Sequence, residues 1–286
     1  MSTAISASAP WRLRFEGLAG VRPGLFAAGA LVIVLAVAAI FPQVLAPYDP
    51  LDASARLAFQ QPSAAHWLGT DENGRDVLSR LIHGVRPSLL MGLAATALGL
   101  GWGALLGLVS GLGPRWLDAA IMRGVDVLLA FPDLLLALVI ITFFGQGMAN
   151  LILAVGIASV PRYARLVRAQ TLGVRNAAYV EAAVTLGQSQ LAVVLRHILP
   201  NAFKPVLILA IIGIGGTITA GAALSFLGFG APPPAPEWGG MMAIGRSFLA
   251  NAPWLIAWPA LSITLTVVSI SAIGRELLRR SEGKPL

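Results

Sequence analysis

Six long runs of apolar residues, each about long enough to cross a lipid bilayer, constrain the fold of this chain most. The hydrocarbon core of a bilayer is about 30 Å thick, and a helix needs roughly 20 mostly apolar residues to cross it. Backbone N–H and C=O groups find no water in lipid, so spanning segments must be helices or closed barrels. The runs cover approximately residues 24–46, 87–113, 117–144, 150–167, 205–228 and 253–273. The sequence therefore predicts an all-α integral membrane protein with six transmembrane helices.

The composition agrees with a membrane protein and argues against other classes. Of the 286 residues, 57% are hydrophobic and 12% are charged, and a soluble domain with that balance would expose large apolar patches. The net charge is +7, but the arginines cluster in short segments between the runs, so we expect membrane topology rather than nucleic-acid binding to account for it. The chain has no cysteine, which excludes disulfides and thiolate metal sites.

The distribution of basic residues predicts the orientation of the chain. Fifteen of the twenty lysines and arginines are predicted on one side of the membrane: those at the two termini, Arg115 and Arg123 after the second run, and the six from Arg162 to Lys204. The positive-inside rule therefore places both termini in the cytoplasm. The predicted organisation is a cytoplasmic segment at 1–23, a first helix at 24–46, an external (periplasmic) segment at 47–86, a five-helix core at 87–273 with a cytoplasmic loop at 168–204, and a cytoplasmic tail at 274–286.

A cleaved signal peptide is the alternative interpretation of the first run. Arg12 and Arg14 precede it, as basic residues precede the apolar part of a signal peptide. The run is longer than the roughly 7 to 15 apolar residues usual for such a segment. We therefore expect a retained membrane anchor.

A stripe of glycines marks the second run, at Gly99, Gly103, Gly107 and Gly111. Residues four apart share one face of a helix, and in lipid a glycine stripe lets a neighbouring helix approach to backbone contact. The stripe predicts tight helix packing, either within this chain or against a partner chain around a translocation path.

The predicted cytoplasmic loop contains two short helices. Asn176 is a suitable N-cap, and the alanine-rich stretch after it favours a helix from about Ala177 to Leu186, which Gly187 ends in the left-handed conformation. A second helix is predicted from about Ser189 to Ile198, ended by Pro200.

The first of these short helices has a predicted contact face. Tyr179, Ala183 and Leu186 share one side of it. The small alanines around them would let the helix enter a groove on another protein. The alternative is an amphipathic hairpin that lies on the membrane surface.

The same loop resembles the EAA motif of membrane subunits of bacterial ATP-binding cassette importers. The residues that carry the resemblance are Tyr179, Glu181, Ala182, Ala183, Gly187, His197, Leu199, Pro200 and Asn201. In that family the loop forms a coupling helix that docks in a cleft of the cytoplasmic ATPase, with the glutamate and the glycine as its most characteristic members. The general pattern has an aliphatic residue where His197 stands. The form of residues 196–201 with this histidine resembles instead the branch of the family that imports peptides and nickel.

Further matches extend the resemblance along nearly the whole chain after the first run. Residues 66–80, 131–132, 161–168, 224–228 and 236–239 resemble the second (C-type) permease of dipeptide and oligopeptide importers. The resemblance implies the type I importer permease fold in the bacterial inner membrane. It also implies a homologous second permease, two ATPase subunits that bind ATP and magnesium, and an external solute-binding receptor. The substrate stays open among dipeptides, oligopeptides, nickel chelates and glutathione, and the tail departs from the family's closing pattern.

Charged residues in the external segments form a second candidate site. The residues concerned are Asp71, Arg75, Asp76, Arg80, Glu237 and Trp238. Asp71 and Arg75 are four residues apart, as are Asp76 and Arg80, and opposite charges at that spacing attract each other on a helix. We expect these residues to form a rigid external cap or, alternatively, to contact the receptor.

The sequence offers no catalytic centre of its own. It contains no G-x-x-x-x-G-K-[ST] phosphate loop, so the energy for transport must come from a partner. Its three histidines lack metal-ligand spacing. We expect a transport subunit with no catalytic residue, no metal and no cofactor of its own.

Two aspartates near the third run support an alternative function. Asp126 is predicted to pair with Arg123, while Asp133 follows Pro132 and either lines a water-filled path or satisfies a backbone group freed by the proline. A secondary transporter driven by an ion gradient would use one of these carboxylates. The favoured interpretation is a permease subunit of an ATP-driven importer, coupled to its ATPase through the loop around Glu181.

Overall fold

The computed structural model of the protein describes residues 23–281, so the predicted segment before Pro23 and the end of the tail lie outside the described residues. Within that range the chain is almost entirely helical, and an isolated bridge between Thr70 and Asp76 is its only β-type pairing. The helices are α1 (Pro23–Ile40), α2 (Pro42–Leu45), α3 (Val77–Leu112), α4 (Arg115–Leu129), α5 (Asp133–Phe144), α6 (Met148–Arg175), α7 (Ala178–Thr185), α8 (Gln190–Val193), α9 (Leu199–Phe226), α10 (Trp238–Gly245) and α11 (Trp254–Ser281).

The membrane-spanning helices confirm the predicted fold class and correct its third span. Five helices in the described range are long and apolar enough to cross a bilayer, and there are six if the bent pair α4–α5 forms one span. The predicted run at 117–144 is broken, because α4 and α5 meet at an angle of 93°. Pro132 accounts for the break, since it has no N–H to donate and disfavours the helical conformation at Phe131.

Several helices extend beyond the predicted runs. Helix α3 begins at Val77 rather than near residue 87, and α6 continues to Arg175. An apolar run predicts only the part of a helix that lipid can cover, whereas backbone hydrogen bonding can continue the helix into water. The boundaries predicted at 86 and 168 are therefore not helix ends.

Pro200 does not end the second short helix, contrary to the prediction. From Gln190 the chain stays helical to Phe226 through a π-helical turn at Val194–Ile198. In that turn the N–H of Leu199 donates to the carbonyl of Val194, five residues back. The wider turn makes room for the proline ring.

The core of the bundle is the packing of α3 against α6. A Cβ added at Gly103 would lie 2.5 Å from Tyr163 Cβ, and one added at Gly107 would lie 2.6 Å from the carbonyl oxygen of Ala164. All four glycines of the stripe meet α6 in this way, so the stripe packs within this chain. The contacts advance in the same direction along both helices, so α3 and α6 run parallel. The chain must therefore cross back between them, and α4–α5 provide that return.

The remaining long helices complete the bundle around this pair. Helix α9 packs on α3, where Thr217 Oγ1 lies 2.9 Å from Thr96 Oγ1 and from the carbonyl oxygen of Gly92. Helix α11 packs on α9, with Ile212 against Gly274. Helix α1 covers the outer side of α3 and α11.

Candidate functional site

The elbow, residues 176–201, is the first candidate site, and it connects the end of α6 to the start of α9. Both predicted short helices are present, as α7 and as α8 with the following π-helical turn. The predicted N-cap is wrong: Asn176 ends α6, and Ala177 precedes α7 without a side-chain capping bond. Ser189 caps α8, because its Oγ accepts a hydrogen bond from the N–H of Ala192 at 3.3 Å.

Gly187 makes the bend between α7 and α8. Its φ is +81°, in the left-handed region that glycine adopts without a steric penalty. The N–H of Gly187 donates to the carbonyl of Val184 at 3.0 Å, and the next N–H, of Gln188, donates to Ala183 at 3.2 Å. No atom lies within 4 Å of an added Cβ. The backbone conformation, and not the lack of space, requires glycine here.

The inner face of the elbow is a small apolar cluster. Val180 and Ala183 of α7 pack against Val193 and Ile198. The predicted contact face is therefore partly wrong, because Ala183 points inward. The cluster folds the two short helices onto each other and fixes the angle at which α9 leaves the elbow.

The outer face of the elbow exposes an unusual number of large apolar side chains. They are Tyr179 (48% exposed), Val184 (55%), Leu186 (82%), Leu191 (69%) and Leu195 (53%). Contiguous exposed apolar residues mark an interaction surface. Glu181 and Ala182 are exposed on the same helix.

The motif residues at the far end of the elbow organise its polar contacts. His197 Nε2 lies 3.0 Å from Gln188 Oε1, and its ring meets the Tyr179 ring edge-on at 6.4 Å between centroids. Asn201 Nδ2 donates to the carbonyl of His197 at 2.7 Å. Leu199 and Pro200 form the first turn of α9. The elbow thus brings Tyr179, near its start, into contact with His197, near its end.

A cleft of about 620 Å³ lies between the elbow and the ends of α3 and α6, and Arg175 and Glu181 are among its lining residues. Arg175 Nη1 donates to the carbonyl of Gly111 at 3.0 Å, which satisfies one of the free carbonyls at the end of α3. Arg175 thereby ties the end of α6 to the end of α3, and Leu112 of α3 packs against the apolar cluster of the elbow.

The second candidate site is formed by residues 48–80 with 234–238, and we call it the external clamp after the side predicted for it from the sequence. Asp71 Oδ1 accepts hydrogen bonds from the N–H groups of Asn73 and Arg75, both at 2.9 Å. Its Oδ2 lies 3.4 Å from Arg80 Nε and 3.7 Å from Arg75 Nη1. Arg80 also donates to the carbonyls of Pro50 at 3.0 Å and Pro234 at 3.3 Å. The guanidinium therefore holds three separate segments together.

The predicted pair of Asp76 with Arg80 is wrong. Residues 71–75 form a turn rather than a helix, and Asp76 caps the start of α3 by accepting from the N–H of Ser79 at 2.8 Å. The other oxygen of Asp76 lies 3.0 Å from His66 Nδ1. Arg80 turns to Asp71 instead.

Glu237 and Trp238 anchor the proline-rich segment from inside. Glu237 caps α10 by accepting from the N–H groups of Gly239 and Gly240, each at 2.8 Å, and from the Ser225 hydroxyl. Trp238 Nε1 donates to the carbonyl of Leu81 at 3.0 Å. Glu237 is 2% exposed and Trp238 1%.

Burial decides between the two interpretations of the clamp. Asp71, Asp76 and Arg80 are at most 5% exposed, like Glu237 and Trp238. Five of the six predicted residues are therefore not available for direct contact with a receptor, and they act as internal links of a cap. The exposed apolar residues of this surface were missed by sequence reasoning.

The missed external residues are Trp67 (71% exposed), Leu51 (51%) and Tyr48 (42%). Tyr48 stacks on His66 with ring centroids 4.9 Å apart and donates its hydroxyl proton to the carbonyl of Ala65 at 2.9 Å. A tryptophan inside a polar segment was the available signal for an exposed contact residue.

Three ion pairs join α6 to the bent pair α4–α5. They are Arg168 with Asp118, Arg165 with Asp126, and Arg162 with Asp133. The predicted local pair of Asp126 with Arg123 is wrong, because Asp126 pairs with Arg165 of α6 instead. The first two pairs are hydrogen-bonded, while Arg162 Nη1 and Asp133 Oδ2 are 3.9 Å apart. Within residues 23–281 no group of histidine, aspartate and glutamate could hold a metal ion.

The bundle and the elbow define a helical membrane permease of the type I importer class. Residues 103–283 match the family described as binding-protein-dependent transport system inner membrane component. The chain belongs to this family.

Two relatives illustrate the similarity. The glutathione transport system permease protein GsiD of Pectobacterium atrosepticum is 42% identical over 249 residues, which cover 87% of this chain and 83% of that protein. The dipeptide transport system permease protein DppC of Alkalihalophilus pseudofirmus is 38% identical over 271 residues, which cover 94% of this chain and 88% of that protein.

Two solved structures share the fold. An amino acid ABC transporter has a TM-score of 0.57 at 19% identity, covering 71% of this chain and 94% of that chain. The inward-facing methionine ABC transporter MetNI has a TM-score of 0.59 at 19% identity, covering 70% of this chain and 95% of that chain.

Proposed function

We propose that this chain forms part of the translocation path of an ATP-driven importer for small peptides or peptide-like solutes. Relatives about 40% identical are named for glutathione and dipeptide transport. The observation that carries the proposal is the elbow, whose outer face exposes large apolar side chains on a rigid support. A soluble partner that covers Leu186 and Leu191 would bury them from water.

The connections of the elbow explain how a partner could move the path. Helix α9 leaves the elbow without a break. Leu112 of α3 packs against the elbow, and Arg175 ties the end of α6 to the end of α3. Force applied to the outer face of α7 would therefore reach three spanning helices. ATP-driven closure of a docked ATPase would tilt these helices and expose the path alternately to the two sides.

The partners follow from this assignment. They are a homologous second permease, two ATP-binding cassette ATPase subunits that hold ATP and magnesium, and an external solute-binding protein. We expect this chain to bind no cofactor, metal or nucleic acid of its own, and its sequence contains no phosphate loop for ATP. It is a multi-pass protein of the bacterial inner membrane with both termini in the cytoplasm.

An ion-driven carrier is the weaker candidate. Such a carrier would need a carboxylate that binds the coupling ion. Asp126 and Asp133 each lie beside an arginine of α6, which already provides a counter-charge. Membership of the importer family also favours ATP as the energy source.

The test is uptake into proteoliposomes that contain the complete transporter, with ATP inside or outside. We expect Glu181→Lys and Gly187→Asp to reduce ATP-dependent uptake at least tenfold while the chain still inserts into the membrane. Arg275→Glu is the control, since it changes the charge by the same amount on an exposed residue of α11 outside the elbow. Uptake that survives both elbow variants, or that continues without ATP, would refute the proposal.

A further inference from the structure

The cavity between α5, α6 and α9 contains an ionic pair that the coupling elbow does not explain. The cavity has a volume of about 340 Å³, and Asp133 and Arg162 lie in its wall. Small side chains form much of the rest, among them Ala137, Ser159 and Thr219. Small and polar lining residues leave room for a solute and for water.

The depth of this pair makes it unusual. Arg162 lies fourteen residues, roughly 21 Å at 1.5 Å per residue, from the start of α6 at Met148. Asp133 begins α5, whose opposite end at Phe144 is roughly 17 Å away. Both groups therefore lie well away from the end of the bundle that Phe144 and Met148 form, and Arg162 lies near the middle of the 28 residues of α6. Ionisable residues at such depth are costly and usually line a substrate path.

The pair also differs from its two neighbours on α6. Arg165 and Arg168 are hydrogen-bonded to their aspartates. Arg162 and Asp133 are 3.9 Å apart, too far for a hydrogen bond. Their side chains are 46% and 57% exposed in this chain. Both groups therefore keep hydrogen-bonding capacity that can be directed into the cavity.

A second groove of the bundle has no charged pair in its wall. The groove between α1, α3, α9 and α11 has a similar volume of about 300 Å³ and is lined by residues such as Val32, Leu89 and Ile211, without a charge. Such a lining suits lipid chains. The cavity at Asp133 instead offers one anionic and one cationic group a few ångströms apart.

We propose that Asp133 and Arg162 form a subsite that binds a zwitterionic solute during its passage, and this inference rests on the proposed function above. Asp133 receives the ammonium group, and the guanidinium of Arg162 binds the carboxylate through paired hydrogen bonds. Without a solute the two side chains neutralise each other, and with the solute bound each is neutralised by the opposite charge of the solute. The site therefore has no net charge in either state. The same chemistry occurs at the two ends of a dipeptide and on the γ-glutamyl head of glutathione.

The absence of cysteine from the chain provides a direct test. Thr219→Cys introduces a single thiol into this chain at the cavity wall, and a maleimide labels it in the purified, nucleotide-free transporter made with cysteine-free partner subunits. We expect a millimolar dipeptide with free ends to slow labelling at least threefold. The N-acetylated and the C-amidated dipeptide should protect less. S-methylglutathione, whose capped sulfur reacts neither with the maleimide nor with the introduced thiol, should protect as the free dipeptide does if an α-amino acid head alone is sufficient.

Paired variants assign the two charges. Asp133→Asn should abolish protection by the free dipeptide and remove the difference between the free and the N-acetylated forms, and Arg162→Gln should do the same for the C-amidated form. Asp126→Asn, on the neighbouring helix α4, and Arg165→Gln, on α6 like Arg162, are the controls. In both control variants the free dipeptide should protect as it does in the parent. Equal labelling without ligand shows that each variant is folded.

The outcomes separate this inference from the proposed function. Equal protection by free and capped dipeptides, loss of protection in the control pair, or no protection by any solute would overturn the subsite. If uptake still depends on ATP and on the elbow in that case, the importer assignment stands. Loss of ATP dependence would refute the importer assignment itself.

Discussion

A single added methyl group at Gly107 should separate α3 from α6. In the structure an added Cβ would lie 2.6 Å from the carbonyl oxygen of Ala164, 2.7 Å from Val167 Cβ and 2.9 Å from the N–H nitrogen of Arg168. Two of these atoms are backbone, so no side-chain rotation relieves the clash. Overpacking of this kind costs about 1–3 kcal/mol.

Gly101 provides the matched control on the same helix. It is exposed, and an added Cβ there meets nothing within 4 Å. Replacement of glycine by alanine inside a helix is favourable by about 0.8–1 kcal/mol in water, and this contribution is common to both sites. The difference between Gly107→Ala and Gly101→Ala therefore isolates the packing cost.

The assay is reversible unfolding of the purified chain in mixed micelles, followed by circular dichroism. We expect Gly107→Ala to have a free energy of unfolding about 1–3 kcal/mol below that of Gly101→Ala. Equal stability of the two variants would show that the two helices do not approach each other as closely as the structure states.

Three further predictions concern the elbow and the clamp. Gly187→Ala should lower the free energy of unfolding by about 1–2 kcal/mol, because an L-residue is strained in the left-handed region. Gly173→Ala, at a helical site with equal space, should not lower it. Chemical denaturation of both variants checks this. Arg80→Met should cost about 3–5 kcal/mol, because it leaves the buried Asp71 without its nearest counter-charge, and limited proteolysis should then cut the external clamp first. Burial, followed by the nearby Asp71 charge, raises the pKa of Glu72 above its ordinary value of 4.5. The contribution of Glu72 to stability is therefore complete below pH 4.5 and is lost as the pH rises through the folded-state pKa. In thermal unfolding the stability of Glu72→Gln should decline less over that pH range than that of the parent, and an unchanged pH profile would contradict the assignment.

The spans could be predicted from sequence because lipid imposes a minimum length on an apolar helix. Their ends could not, because the helices at Val77 and Arg175 continue into polar surroundings where an apolar run gives no signal. The break at Pro132 was visible as a proline, but its angle depends on how α5 packs against α6. The glycine stripe predicted close packing, and only the structure identified α6 as the neighbour.

The candidate sites divide in the same way. The elbow could be located from the residues around Gly187, since a left-handed bend has a strong sequence preference. The clamp was misread, because the spacing of Asp76 and Arg80 suggested a helical pair while Asp71 forms a turn that attracts the arginine. Burial of Glu237 was not predictable from its type, because a charged residue becomes buried only when capping bonds and a hydroxyl satisfy it.

Helix α3 is one continuous helix that connects the clamp to the elbow. Its 36 residues span roughly 54 Å, far more than the thickness of the lipid core. Asp76 fastens one end within the external clamp, and Arg175 fastens the other end beside the elbow. We therefore expect a displacement at the elbow to tilt α3 along its whole length, so that an event on one side of the membrane changes the position of residues on the other side.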